Sequence, residues 1–419
     1  MSILYSKNFD SFDWGWLVIS FGMALGAGIV LVPVTVGVSG IFVYLISALF
    51  AYPAIFLFQK LYMNTLFDTK ESKCYSETIK DLLGEKWSIV LGFLYFIMMS
   101  IWTIVYAETV ANALSDYLYH FNIINIRLDN SSIYSLILMI ILVAIGTKSK
   151  NLLFKASTLL TLILLCSVII AAIYVIPEWN FSQLNIYPKG WEAVPKTIIM
   201  IPFSLTTILF IQSLSPMVMG YREQYSKDND LAKYKAQRTM KIAFFTLLII
   251  VSFYVLSLAL IIPQDQAILA KNHNQSVFSV LLKIYSHNTF LQILGVIINI
   301  CAILAAFLSI LTGMRESLRG VLLNITKKFF DKNKFSSNQI EATIIILIIL
   351  LTWLSIIFKI PIFYLVPWCG PIFGIIGCLI PAYIVFKVDR FAKYKTISVY
   401  YIVLVGIILC ISPLLSAYL

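Results

Sequence analysis

Charge is what this sequence has least of. Asp, Glu, Lys and Arg make up 12% of its 419 residues, about half the share in an ordinary soluble domain. Histidine occurs three times, at His120, His273 and His287, scattered and with no metal-ligand spacing. The six cysteines, Cys74, Cys166, Cys301, Cys369, Cys378 and Cys410, form neither a disulfide framework nor a zinc pattern. No HExxH, no paired acids and no nucleophile–base spacing occur within the apolar runs, so the sequence does not read as an enzyme. Segments between those runs are short, which excludes a soluble catalytic or signalling domain. A cleavable signal peptide is not expected, because the first residues lack a short apolar core followed by a small-residue cleavage site.

What is abundant is apolar sequence, 60% of the chain. It falls into eleven runs at roughly 14–36, 40–64, 88–110, 133–147, 152–176, 197–220, 240–262, 289–313, 340–358, 363–387 and 397–417. Most approach the ~20 residues that carry a helix across hydrocarbon. A large soluble core would need a few such runs, not a series of them. The expected fold is an all-α integral membrane protein of eleven spans in one transporter domain over 1–419.

Lys and Arg set the sidedness. Of the 31, only Arg127, Lys189, Lys196, Lys271, Lys283 and Lys359 fall on one side. The richer side holds the N-terminus, which is therefore expected in the cytoplasm, with the C-terminus outside. The net charge of +11 is a topology signal; without an aromatic and basic platform it does not indicate nucleic acid.

Two of the runs carry helix breakers at comparable places. The first contains Gly26-Ala27-Gly28 and then Pro33; the sixth contains Gln212-Ser213-Leu214-Ser215-Pro216. Backbone freed inside hydrocarbon is tolerated only where protein or a cavity satisfies it. The first and sixth runs each open a set of five. An odd number of spans reverses the second set, giving a five-plus-five inverted repeat over 12–176 and 197–387, with 397–417 left over. Broken helices at matching positions of inverted halves point to a substrate site at the membrane midplane. Half-helix N-termini receive a carboxylate and freed carbonyls an ammonium group, so a zwitterionic amino acid suits the pair. Small-residue packing remains the alternative for the glycines, and a simple kink for Pro216. Pro367-Trp368-Cys369-Gly370-Pro371 in the tenth run reads as another bend.

The stretch GMALGAGIVLVPVTVG, the Gln212–Tyr221 segment and TGMRESLRGV resemble the bacterial hydroxy and aromatic amino acid permeases of the amino acid, polyamine and organocation superfamily. So do FVYLISALFAYPAIFLFQKL, GFLYFIMMSIWTIVYA, CGPIFGIIGCLIPAYIVFKV and LCISPLLSA, and the resemblance extends over about residues 12–418. It is nearest to the inner-membrane serine transporters, a group also linked to cysteine uptake. It implies an eleven-span fold of the LeuT type and import of a small neutral amino acid, L-serine first, with protons. L-cysteine or L-threonine is the next substrate, an aromatic amino acid or sodium coupling is less favoured, and a channel is the competing class. The implied partners are the bilayer, the amino acid and protons, with no cofactor and a functional monomer in a bacterial inner membrane.

Gly26, Ala27 and Gly28 are expected to receive the carboxylate, and Gln212, Ser213 and Leu214 to offer carbonyls to the ammonium. Ser213 and Ser215 can reach a substrate hydroxyl or thiol. In the third run, Tyr106 is a candidate cap over the substrate, with Trp102 and Glu108 toward an outer gate. A carboxylate at mid-membrane costs about 3 kcal/mol on insertion scales, so Glu108 is expected at a boundary or vestibule. Lys155, in the fifth run, resembles lysines that replace a bound cation in related transporters. Snorkelling at the inner interface is the plainer reading. Ser309 and Thr312 offer hydroxyls for a coupling ion. Pro216 is expected to take part in gating, as are Arg315 and Glu316, followed by Arg319, unless these three are surface anchors. The 221–239 segment reads as a polar linker with a helical second half.

Overall fold

A computed structural model describes residues 8–69, 75–148, 150–226, 228–329 and 337–418. Apolar runs without β-alternation become helices, because a chain in hydrocarbon must satisfy its own backbone. Among the described residues there is no strand.

The first run becomes two helices, α1 (Ser11–Ala24) and α2 (Ala27–Ser39), bent by 45° at the break. Next come α3 (Ile41–Phe67), the short α4 (Tyr75–Leu83) and the long α5 (Glu85–His120). Two helices follow, α6 (Ser132–Lys148) and α7 (Lys150–Tyr174). The sixth run forms α8 (Ala193–Ile208) and α9 (Ile211–Gln224), and the seventh α10 (Asn229–Ala259). Two short helices, α11 (Gln264–Asn272) and α12 (Val277–Ile284), precede α13 (Thr289–Phe329) and α14 (Ser337–Ile357).

The tenth run is interrupted. It passes through α15 (Ile362–Leu365), a 3₁₀ turn at Val366–Trp368, α16 (Cys369–Phe373), a π-helical stretch at Gly374–Leu379 and α17 (Ile380–Lys387). The expected irregularity around Pro367–Pro371 is therefore present. The last helix is α18 (Ile397–Ile411).

Eight described helical stretches, α8–α9 and α15–α17 each counted as one, are long and apolar enough to cross a membrane, and the bent α1–α2 pair makes a ninth. The fourth and fifth runs appear as shorter apolar helices, Ser132–Thr147 and Thr158–Tyr174. The chain is a multi-pass membrane protein. Large apolar side chains such as Leu49, Ile133, Ile249 and Phe358 are exposed. In water that arrangement would be unfavourable; against acyl chains it is the solvated face. The core lies at the centre of the bundle, where α2 is almost wholly buried from Gly28 to Gly37.

Candidate functional site

The first break falls at Leu25–Gly26. Leu25 still donates to the Phe21 carbonyl at 2.8 Å, and Gly26 turns back to Ala24 at 3.0 Å. The α2 helix then starts at Ala27, so the Ala27 and Gly28 amides have no acceptor inside their own helix. The Ala27 side chain lies outside the described residues.

The second break is displaced from its expected place. It falls at Leu209–Phe210, and Gln212, Ser213, Leu214, Ser215 and Pro216 all lie inside α9. The reason is local chemistry. The Phe210 amide finds the Gln59 side-chain oxygen at 3.4 Å, and the Ser213 hydroxyl donates to the Phe210 carbonyl at 2.8 Å. The break is thus stabilised upstream, while Pro216, the sixth residue of α9, has no N–H to give the Gln212 carbonyl. The carbonyls ending α8, around Thr206–Ile208, also lack helical partners. Gln212 and Ser213 belong to the amide end of a half-helix.

The two breaks meet. A Cβ on Gly28 would lie 2.7 Å from the Thr206 carbonyl oxygen and 2.8 Å from the Thr207 Cα. Only a glycine lets α2 approach the end of α8 so closely. The Ser20 and Ser213 hydroxyls are 3.3 Å apart, linking α1 to α9, and Tyr254 donates to the Ile29 carbonyl at 3.2 Å. Tyr106, from α5, places its hydroxyl directly over Gly26, beside Ala306. Trp102 stacks near it, with ring centroids 5.9 Å apart. Gly26, Gly28, Tyr106 and Ser213 therefore gather around one crossing.

A polar seam between α3 and α8 supports the crossing and was not anticipated. Tyr44 and Tyr52 share a 2.6 Å hydrogen bond, Tyr52 reaches Thr207 at 3.2 Å, and Ser47 reaches Ser204 at 2.9 Å. Each residue looks unremarkable in an apolar run, and only the pairing of helices distant in sequence reveals the line they form.

Ser309, Thr312 and Arg315 have partners of their own. Ser309 donates to the Ala305 carbonyl at 2.8 Å, and Thr312 to the Ser309 carbonyl at 2.7 Å, so both hydroxyl protons are given to their own helix. Arg315 pairs with Glu341 of α14, and Glu316 is exposed. The Lys155 side chain lies outside the described residues.

Glu108 is buried, at 1% exposure, rather than solvated at a boundary. Burial is tolerated because Oε1 accepts the Ile360 amide at 3.1 Å and the carboxylate faces a cavity of about 120 Å³. Asp116, Arg127, His273 and Lys359 also line that cavity.

At the opposite end, a charged cluster ties α1 to α9 and α10. Asp13 is fully buried; Tyr221 donates to it at 2.5 Å and Arg238 at 2.9 Å. The Lys235 ammonium, also fully buried, lies 2.5 Å from Asp10 and 3.2 Å from Asp13. Tyr225 donates to Asp10 at 2.9 Å. Nearby, Asp68 at the end of α3 receives Lys233, Lys393 and Tyr394. Burial opposes the Asp68 charge, but hydrogen bonds from Lys393, Tyr394 and Lys233 outweigh it and hold the carboxyl below its usual range. The 221–239 segment is helical in its second half, as expected, but it is more than a linker because it supplies Lys235 and Arg238. An aspartate pair just before an apolar run was the available signal.

The model of the tryptophan/tyrosine permease family matches residues 9–414. A serine transporter of Escherichia coli O157:H7 is 41% identical over 411 residues, which is 98% of this chain and 93% of that protein. A probable serine transporter of Escherichia coli K12 is 40% identical with the same coverage. A threonine/serine transporter of Escherichia fergusonii is 25% identical over 403 residues, 91% of this chain and 90% of that one.

Among solved structures, MhsT in complex with L-phenylalanine aligns at a TM-score of 0.56 and 17% identity, covering 96% of this chain and 97% of that one. The substrate-bound outward-open state of a Na+-coupled sialic acid symporter aligns at 0.54 and 13%, covering 96% and 90%. At those identities the likeness is one of fold, and it is of the LeuT type. Among the described residues, no group of His, Cys, Asp and Glu is arranged to hold a metal ion.

Proposed function

The chain belongs to the tryptophan/tyrosine permease family, and we propose that, as a secondary active amino acid transporter, it imports L-serine together with a proton. The observation that carries the substrate is 41% identity, over nearly the whole chain, to a protein named as a serine transporter. Threonine is the second reading, favoured by the more distant relative named for both substrates. A single methyl group changes pocket affinity by only about 1–3 kcal/mol.

The site lies at the crossing of the two breaks. The amides of Ala27 and Gly28 meet the substrate carboxylate, with Tyr106 closing over Gly26, whose own amide is turned back to Ala24. The ammonium group meets the carbonyls ending α8, and the Ser213 hydroxyl reaches the substrate side chain. The contact between Gly28 and Thr206–Thr207 supports this reading, because it brings opposite ends of two half-helices together.

The topology is eleven spans, with a five-plus-five inverted repeat and the N-terminus in the cytoplasm of a bacterial inner membrane. Two groupings support that sidedness. Asp10, Asp13, Asp68, Lys235 and Arg238 cluster at one end. Arg127 and Lys359, from the side poor in basic residues, line one cavity at the other. Transport proceeds by alternating access in a monomer, the charged cluster closing the inner side while substrate and proton enter from outside.

The test is uptake into proteoliposomes. Labelled serine competes with threonine, cysteine, alanine and tryptophan under separate proton and sodium gradients. Serine is expected to compete best, and an inward proton gradient to drive accumulation. Uptake that ignores a protonophore and requires external sodium would overturn proton coupling. Conductance without amino acid would favour a channel.

A further inference from the structure

Glu108 sits twelve residues before the end of α5, about 18 Å along the helix from its outer tip. The cavity reaching it is lined by exposed groups, Arg127 and His273, and by buried ones, Glu108 and Asn274. A polar path therefore runs from the surface to a carboxyl group inside a span. Ionisable groups in that setting mark proton relays and ion paths more often than packing.

What the carboxylate holds is specific. Ile360 lies in the linker between α14 and the interrupted tenth span. Its amide donates to Glu108 at 3.1 Å and is shared with the Ser355 carbonyl at 3.3 Å, and its carbonyl accepts from Asn274 Nδ2 at 2.9 Å. Asn274 Oδ1 also accepts the Ile362 amide at 3.1 Å. Both backbone polar groups of one residue are thus gripped by side chains from other elements. Lys359 and Asn274 have positive φ values of 48° and 52°, conformations held by this clamp and costly for non-glycine residues.

We propose that Glu108 is the carboxyl group that takes up the coupling proton from the outer side, and that its bond to the Ile360 amide passes its charge state to the tenth span. This rests on the proton-coupled reading above. The physical link is direct. A hydrogen bond to a charged acceptor is about twice as strong as one between neutral groups, so protonating Glu108 weakens the hold on the linker. Neutralisation by the incoming proton releases the tenth span to move, and return of the charge grips it again.

The surrounding charges are in place. Asp116 accepts Arg127 at 2.6 Å and Gln275 at 3.2 Å. Lys283 donates to Gln275 at 3.0 Å, and Lys359 to Asn130 at 2.5 Å. Asp129 and His273 complete the titratable lining. Arg127 and Lys359 bring positive charge to this cavity, and Asp116 and Asp129 bring negative charge.

The experiment compares wild type with Glu108→Gln, which keeps an acceptor for the Ile360 amide but cannot ionise. Reconstituted protein is assayed for serine exchange without a gradient, for accumulation under a proton gradient, and for serine-induced proton influx with a pH dye. E108Q is expected to keep exchange and to lose both accumulation and proton influx. Proton influx that persists in E108Q overturns the proposal. Wild type that exchanges serine but moves no proton with it overturns the proposal while leaving amino acid transport intact. Wild type that exchanges no amino acid removes the transport reading and the proposal with it. Glu108→Asp, ionisable but one methylene shorter, is expected to accumulate serine with a displaced pH profile. An undisplaced profile counts against a role for this carboxyl.

Discussion

The Tyr221 hydroxyl donates to the Asp13 carboxylate across 2.5 Å, joining the end of α9 to the start of α1. In the proposed topology those helices are the inner arms of the two broken spans. Their far ends are locked together by charge at one side of the membrane, while their breaks cross near the middle. In the proposed alternating-access cycle, opening the inner side requires this lock to part. Lys235 makes parting costly, because its buried ammonium has Asp10 and Asp13 as its carboxylates.

Asp13→Asn should therefore destabilise the closed inner side. Removing one partner of a buried pair typically costs about 3–5 kcal/mol. Thermal unfolding in detergent should show a clear loss, and cysteine labelling from the cytoplasmic side should rise. Adding Lys235→Met should restore part of the stability, since the stranded ammonium goes too. A double variant as unstable as the sum of its parents would disprove the coupling.

Asp10 makes the same lock sensitive to acid. Burial works against its charge, but the Lys235 ammonium, the Asp13 amide and the Tyr225 hydroxyl outweigh it and hold the pKa at about 2. The unfolded value is about 3.9. A depressed carboxyl stabilises the fold above the unfolded pKa and loses that contribution as pH falls through the folded one. Wild type should lose stability between about pH 4 and pH 2. Asp10→Asn should show a flatter curve there, and superimposable curves would refute the assignment.

The two glycines of the first break should separate. Alanine at Gly28 forces a Cβ into the Thr206–Thr207 backbone, where overpacking costs about 1–3 kcal/mol. Stability should fall even without substrate. Alanine at Gly26 meets the Tyr106 side chain instead, which can swing aside. Amino acid binding should weaken more than stability. Equal stability losses from both would return Gly26 to simple packing.

Ser309→Ala with Thr312→Ala should leave proton-driven serine uptake nearly unchanged, because both hydroxyls already bond to their own helix. A new dependence of uptake on ion type would show that these oxygens serve a cation. Lys155→Gln addresses the other coupling candidate. Altered pH dependence of uptake would give it a role, and an unchanged profile would leave it as an interfacial lysine.

The glycine pair was legible because two glycines inside an apolar run are costly unless the backbone is needed there. The second break was legible only as a region. Pro216 suggested its position, but the observed break lies at Leu209–Phe210, where Gln59 from α3 satisfies the Phe210 amide. A partner more than a hundred residues away leaves no mark in a local pattern. The burial of Glu108 was illegible for the same reason. Its burial depends on the Ile360 peptide, which reaches it from the far end of the chain.

By itself, the sequence determined that this protein lives in a bilayer and which runs are built to break. Those properties follow from composition and spacing, since hydrocarbon penalises every unpaired backbone group and every stray charge wherever the chain folds. Only the tertiary structure decided where the broken ends open, that Gly28 meets Thr206–Thr207, and that Asp13, Lys235 and Tyr221 form one lock. Each of those depends on which distant group arrives to satisfy a freed amide, carbonyl or charge, and that is settled by packing.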